Sequence, residues 1–220
     1  MKIRQHTIYD TPLVKTLARL FSLLLLRILG WNTEGQLPAQ SRFVLIAAPH
    51  TSNWDLMFTM AIAFAMRTKV HWLGKRSLFR RPFGLIFSWF GGIPVDRSRS
   101  NNIVEQSIQY FHDNDSFILA VPPSGTRQKV AYWKTGFYYI ALGARVPIVL
   151  GFLDYKRKVG GVGPPFQPTG DIESDMMFIR EYYSKVTGRY PEKAHGLATR
   201  QRDTNLDRAD RISRRENEVH

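Results

Sequence analysis

Four short apolar runs mark out the chain, at residues 43–48, 70–73, 117–121 and 148–153. Each is continuous rather than alternating and has turn residues at its ends, the pattern of strands buried on both faces. Helical periodicity fills the intervals at residues 56–66, 78–90, 103–111 and 136–144. Strands alternating with helices predict an α/β fold with a mixed, largely parallel sheet flanked by helices. No internal repeat is visible. Three regions follow: residues 1–40 around an N-terminal helix, a domain over residues 41–192, and a polar, flexible tail over residues 193–220, where seven Lys and Arg and five Asp and Glu leave scarcely any aliphatic residue.

Residues 11–30 read T-P-L-V-K-T-L-A-R-L-F-S-L-L-L-L-R-I-L-G. Lys15, Arg19 and Arg27 cut the apolar stretches well below the roughly 20 residues that a spanning helix needs. A charge followed by an apolar run also suits a secretory signal, but Arg27 is followed by Ile-Leu-Gly-Trp, with no small-x-small cleavage site. The expectation is an amphipathic helix starting near Pro12 that associates with a membrane, its cations at headgroup depth and its Leu and Phe side chains in the acyl boundary. The alternative is a helix packed on the protein's own core.

Composition narrows the function classes. The chain has 220 residues and no cysteine, which excludes a disulfide, a thiolate nucleophile and a Cys-ligated metal. Its 31 Lys and Arg against 18 Asp and Glu give a net charge of +13 and predict an anionic partner. Between residues 61 and 100 there are eight Lys and Arg against Asp96 alone, interleaved with Phe79, Phe83, Phe87, Trp89 and Phe90. Cations beside bulky aromatics suit an anionic membrane surface, where each is worth about 1 kcal/mol. They also suit single-stranded nucleic acid, but no nucleic-acid-binding motif accompanies them. His71, His112 and His195 are too scattered to suggest a metal site.

Four constellations carry the chemistry. The first is Pro49-His50-Thr51-Ser52-Asn53-Trp54-Asp55. A His and an Asp five apart in one helix point about 140° away from each other, so the two meet only if His50 precedes the helix and Asp55 lies in its first turn. Ser52 as N-cap gives that arrangement, and a carboxylate there can hold one imidazole nitrogen and leave the other as a general base. The plain alternative is a capping box between Ser52 and Asp55 beside an ordinary loop histidine. The second constellation, Gly91-Gly92-Ile93-Pro94-Val95-Asp96-Arg97, presents Arg97 either to a phosphate or to Asp96. The third is Val121-Pro122-Pro123-Ser124-Gly125-Thr126-Arg127, a turn that offers backbone N–H groups, a hydroxyl and a guanidinium to an anion, or is simply a turn. Ser124 lacks the flanking glycines of a nucleophile elbow. The fourth, Val146-Pro147-Ile148-Val149, starts a strand.

In this order the four blocks resemble those of the glycerolipid acyltransferase superfamily, in particular the bacterial 1-acylglycerol-3-phosphate acyltransferases. That family carries N-H-x-S-x-x-D, G-x-x-x-x-x-R, E-G-T-R and V-P-I blocks; here they read H-T-S-N-W-D, G-I-P-V-D-R, S-G-T-R and V-P-I-V, within residues 43–183. The resemblance implies an O-acyltransferase in which His50 deprotonates the hydroxyl of a lysophospholipid such as 1-acylglycerol-3-phosphate and Asp55 orients His50. The oxygen attacks an acyl thioester of coenzyme A or acyl carrier protein, which is a co-substrate; no bound cofactor or metal is implied. Arg97 and Arg127 are implied as ligands of the acceptor phosphate, Gly125 and Thr126 as the shape of that pocket, and Lys75 as a further basic position. Localisation by the same analogy is a peripheral or monotopic protein on the cytoplasmic face of the inner membrane. Two departures stand out: Ser124 replaces the usual Glu, and Pro49 the usual Asn. The first opens alternatives, namely another lyso-lipid acceptor or a lipid-binding relative without catalysis.

Overall fold

The computed structural model describes residues 6–95, 100–130 and 132–194. Arg97, and residues 195–220 of the expected tail, lie outside the described residues.

Among the described residues seven strands form one sheet: β1 (Asn32–Glu34), β2 (Arg42–Ala48), β3 (His71–Lys75), β4 (Gly92–Val95), β5 (Phe117–Val121), β6 (Ile148–Asp154) and β7 (Val159–Phe166), in the spatial order β1-β7-β6-β2-β5-β3-β4. β6, β2, β5, β3 and β4 are mutually parallel, and β7 runs antiparallel to β6. The sheet is mixed and mostly parallel, as expected. All four expected strands are present.

The pleat divides the core into two. Val44, Ile46 and Ala48 of β2 pack on one face with residues of α4 (Ser100–Asp113), α5 (Gly136–Ala144) and α6 (Ile172–Ser184), among them Tyr110, Phe137, Ile140, Met176 and Ile179. Phe43 and Leu45 point the other way, towards Ala63 of α2 (Trp54–Ala65) and Val162 of β7. Burial on both faces is why these strands read as continuous apolar runs.

α1 (Pro12–Leu29) reconciles the two readings of the N-terminal segment. Leu26 packs with Phe58, Ala61 and Ile62 of α2, so one face belongs to the core. Leu13, Leu17, Leu20, Phe21, Leu24 and Ile28 are exposed, and at 100° per residue they fall within a stripe about 100° wide on the opposite side. Among the described residues no helix is long and apolar enough to cross a membrane.

Three differences from the sequence reading have physical causes. The helix expected over residues 78–90 is divided into a 3₁₀ turn, Arg76–Phe79, and α3, Gly84–Trp89, because Pro82 has no N–H to give and disfavours helical backbone in the residue before it. β7 reads V-G-G-V-G-P-P-F, which looks like a turn. Its glycines answer a close approach: a Cβ at Gly161 would lie 1.9 Å from the Glu34 carbonyl oxygen on β1, and one at Gly160 2.2 Å from Ile62. Pro164 and Pro165 lie beyond the three residues that pair with β1, so no ladder bond is required on that side, and Pro164 falls at the irregularity in the pairing with β6, where Pro165 stands opposite Val149. α6 is not legible as an amphipathic helix because Met177 and Phe178 are exposed beside the buried Met176, Ile179 and Tyr183, and Asp175 is buried, so no single apolar stripe stands out.

Candidate active site

The parallel strands β6, β2, β5, β3 and β4 end at one edge of the sheet, the edge at which open α/β sheets bind ligands. The His50 and Ser124 blocks leave β2 and β5 there, whereas Val146-Pro147-Ile148-Val149 enters β6 at the opposite edge. His50 stands two residues past β2, after a cis Ala48–Pro49 peptide, and Asp55 is the second residue of α2. The His50 Nδ1 lies 3.3 Å from the Asp55 Oδ2. His50 keeps a quarter of its side chain open to solvent, 24 %, whereas Asp55 is enclosed at 3 %.

Asp55 Oδ2 also accepts the N–H groups of Thr51 at 2.7 Å and Ser52 at 2.8 Å. The capping role and the imidazole contact therefore coexist on one oxygen. The cap itself is shifted from the expectation: α2 starts at Trp54 behind Asn53, and the Ser52 hydroxyl accepts the Trp54 N–H at 3.2 Å. Burial pushes the Asp55 carboxyl up, but the hydrogen bonds from His50, Tyr155, Ser52 and Thr51 outweigh it and hold the group below its ordinary range. It stays a carboxylate, able to fix the Nδ1–H tautomer and leave Nε2 as acceptor.

Residues far along the chain complete this environment. The Tyr155 hydroxyl, just beyond β6, donates to Asp55 Oδ1 at 2.7 Å. Burial first, then Asp55, raise the phenol well above its ordinary range, so it is a neutral donor. The Tyr155 N–H donates to the Thr187 carbonyl at 2.8 Å, and the Tyr190 N–H to the Thr51 hydroxyl at 3.2 Å. Between them the Arg189 guanidinium lies over the rings of Trp54 and Tyr155, at 5.3 and 5.9 Å. No spacing rule links these residues to His50. The available signal was topological: β6 neighbours β2 in parallel, so the residues leaving both strands share an edge.

Two cavities meet at His50. The larger, about 580 Å³, is apolar and runs between α2 and the sheet, lined by Leu45, Thr59, Ile62, Ala63, Met66 and Val162 among others, with His50 and Asp55 at one end. Its stretch along α2 from Asp55 to Met66 spans about 16 Å of helix axis. The other, about 410 Å³, lies against His50, Thr51, Pro123, Ser124, Trp133, Tyr183, Val186 and Lys193, and among the described residues no carboxylate lines it.

Of the residues singled out in the sequence, His50 and Asp55 are brought together, and Ser124 faces the same cavity as His50. Gly125, Thr126 and Arg127 continue the turn after β5 but line neither cavity; Gly125 has φ +64° and Arg127 is exposed. Ser124 donates to the Thr126 carbonyl at 2.7 Å, and the Thr126 hydroxyl accepts the Gln128 N–H at 3.3 Å, so both hydroxyls shape the turn. Lys75 ends β3 and is exposed. With β5 between, it stands two strands from β2, roughly 10 Å at the usual strand spacing.

The fold and this edge define an acyltransferase: residues 31–149 match the family model described as Acyltransferase, and the chain belongs to that family. Among solved structures it is similar to that of the 1-acyl-sn-glycerophosphate (LPA) acyltransferase PlsC from Thermotoga maritima, at 17 % identity and a TM-score of 0.54, over 78 % of this chain and 77 % of that one. The two share the fold. No curated protein sequence matches the chain.

Proposed function

We propose that this acyltransferase moves a fatty acyl group from a thioester of coenzyme A or acyl carrier protein to the free hydroxyl of a lysophospholipid such as 1-acylglycerol-3-phosphate. The observation that carries this reading is the meeting of a long apolar cleft and a second, separate cavity at His50, whose Nδ1 is held by Asp55. The cleft suits an acyl chain; the second cavity suits the acceptor. Nε2 of His50 takes the proton of the acceptor hydroxyl as the oxygen attacks the thioester carbonyl. The C–S bond then breaks, the thiol leaves with the proton from the imidazolium, and an ester remains. Asp55 stabilises the imidazolium through the transfer. No acyl-enzyme is required.

Lys75, Arg97 and Arg127 are assigned to the acceptor phosphate, with Gly125 and Thr126 shaping the turn that presents Arg127. The exposed stripe of α1, and the exposed Phe83, Leu85 and Ile86 beside Arg76, Arg80 and Arg81, support docking on an anionic membrane surface. By analogy, the supply of acyl thioesters favours the cytoplasmic face of the inner membrane.

A second reading keeps the chemistry and changes the acceptor. Ser124 puts no charge where the family pattern has Glu, and its hydroxyl is already bound within the turn. A lysophospholipid with another headgroup then fits the second cavity. The test is release of free thiol from acyl-CoA, or from acyl carrier protein, by purified protein in detergent across a panel of lysophospholipids. Release that needs one acceptor and disappears in His50→Ala supports the reading and names the headgroup. No release with any donor and acceptor would leave a lipid-binding relative without catalysis.

A further inference from the structure

Among the described residues, two side chains reach the buried Asp55 carboxylate. His50 approaches Oδ2, and Tyr155, one hundred residues further on, approaches Oδ1 at 2.7 Å. Two backbone N–H groups, those of Thr51 and Ser52, complete the shell. Tyr155 is fixed in turn from three sides. Its ring is edge-on to Trp31 at 4.9 Å and to Phe58 at 5.7 Å, its N–H is tied to Thr187, and Arg189 covers its face. The same segment closes on the catalytic loop: the Tyr190 N–H donates to the Thr51 hydroxyl, and a Cβ at Gly188 would meet Pro49 and Thr51 at 3.2 Å. Thr187, Arg189 and Tyr190 all lie outside residues 31–149, as does Tyr155.

We infer that Tyr155 is a positioning residue for the reaction: its hydroxyl, held in place by the segment 187–190, draws charge from the Asp55 carboxylate and so sets the basicity of His50. A carboxylate that shares its charge with a phenolic donor stabilises the imidazolium less than one that does not. Removing the hydroxyl concentrates charge on Asp55, and the three donors on Oδ2 keep that group ionised. His50 then holds its proton to higher pH. Among the described residues, the other ionisable groups facing the pair are Lys193 and Tyr183 across the second cavity and Arg189 above the Tyr155 ring.

The inference rests on His50 as the base of the proposed reaction, but its test does not need turnover. The His50 imidazole is titrated by proton NMR in the full-length protein, its resonance identified by its absence in His50→Ala. In Tyr155→Phe, which keeps the ring in its aromatic packing, the titration midpoint should rise by at least about half a pH unit. In the acyl-transfer assay kcat should fall about tenfold, part of the hundredfold or more that a positioned base supplies, with KM for both substrates within about twofold. The acidic limb of the kcat profile should move up with the imidazole. Should Tyr155→Phe fail to fold, Arg189→Ala leaves the hydroxyl and removes its cover, and is expected to move the midpoint in the same direction by less. An unchanged His50 midpoint in every folded variant would overturn the inference. A moved midpoint in a protein that transfers no acyl group would uphold it and count against the proposed reaction instead.

Discussion

Among single residues, Asp55 and His71 show opposite uses of burial. Asp55 is surrounded by donors and remains charged. His71, in β3 against the ring of Phe117 at 4.9 Å, is kept neutral: among the described residues its Nδ1 has no hydrogen-bond partner, and burial first, then the charge of Lys69, bring its pKa down to about 4. The unfolded chain takes up this proton below about pH 6.5 and the folded protein only near 4, so the unfolded state binds more protons within that window. Stability should therefore fall by about 3 kcal/mol as pH drops from 6.5 to 4. Urea midpoints measured across the window should show this slope, and His71→Phe should flatten it. Asp55 acts in the same direction at lower pH: its contribution is present above its unfolded value and is lost as pH falls through its lower folded value. At this scale His50 and Asp55 are legible in the sequence, because helical rotation allows them to meet in only one local arrangement. Tyr155 is not, because its contact depends on which strand lies beside β2.

Elements were legible where one periodicity dominates. β2, β5 and β6 are continuous apolar runs and α5 is a compact apolar helix, and each appears within a residue or two of its expected place. β7 shows where periodicity gives out: β1 and Ile62 pass so close that a side chain at Gly161 or Gly160 would run into them, a tertiary demand that local sequence reads as a turn. α1 shows a different case. Its pattern is amphipathic with the larger apolar stripe outward, so both the core-packed and the interfacial readings describe one of its faces. Leu17→Glu with Leu24→Glu changes only exposed positions, and surface changes of this kind cost about 0.5 kcal/mol or less. The double variant should keep its melting temperature and lose most of its co-sedimentation with vesicles that contain anionic phospholipid. Equal sedimentation with the wild type would remove α1 from the membrane account.

For the whole molecule, the α/β class followed from the alternation of runs, whereas the function depends on strand order. Placing β2 between β6 and β5 brings the His50 loop, the Ser124 turn and Tyr155 to one edge, and leaves a cleft of about 580 Å³ behind His50. Ala63 lies in the wall of that cleft, on the same helix as Asp55 and two turns further on. Ala63→Leu should shift donor preference towards shorter acyl chains while leaving the acceptor KM within about twofold, at a stability cost of about 1–3 kcal/mol for overpacking. A series of acyl-CoA lengths assayed with wild type and variant reads this directly, and unchanged preference would detach the cleft from the acyl chain. The most direct measurement for the account as a whole is mass spectrometry of the lipid made from a deuterated acyl-CoA and a lysophospholipid. Wild-type protein should yield the diacyl lipid with the deuterated chain in a new ester, and His50→Ala should yield none. Deuterated free fatty acid as the only wild-type product, or equal ester formation by His50→Ala, would contradict transfer to a hydroxyl deprotonated by His50.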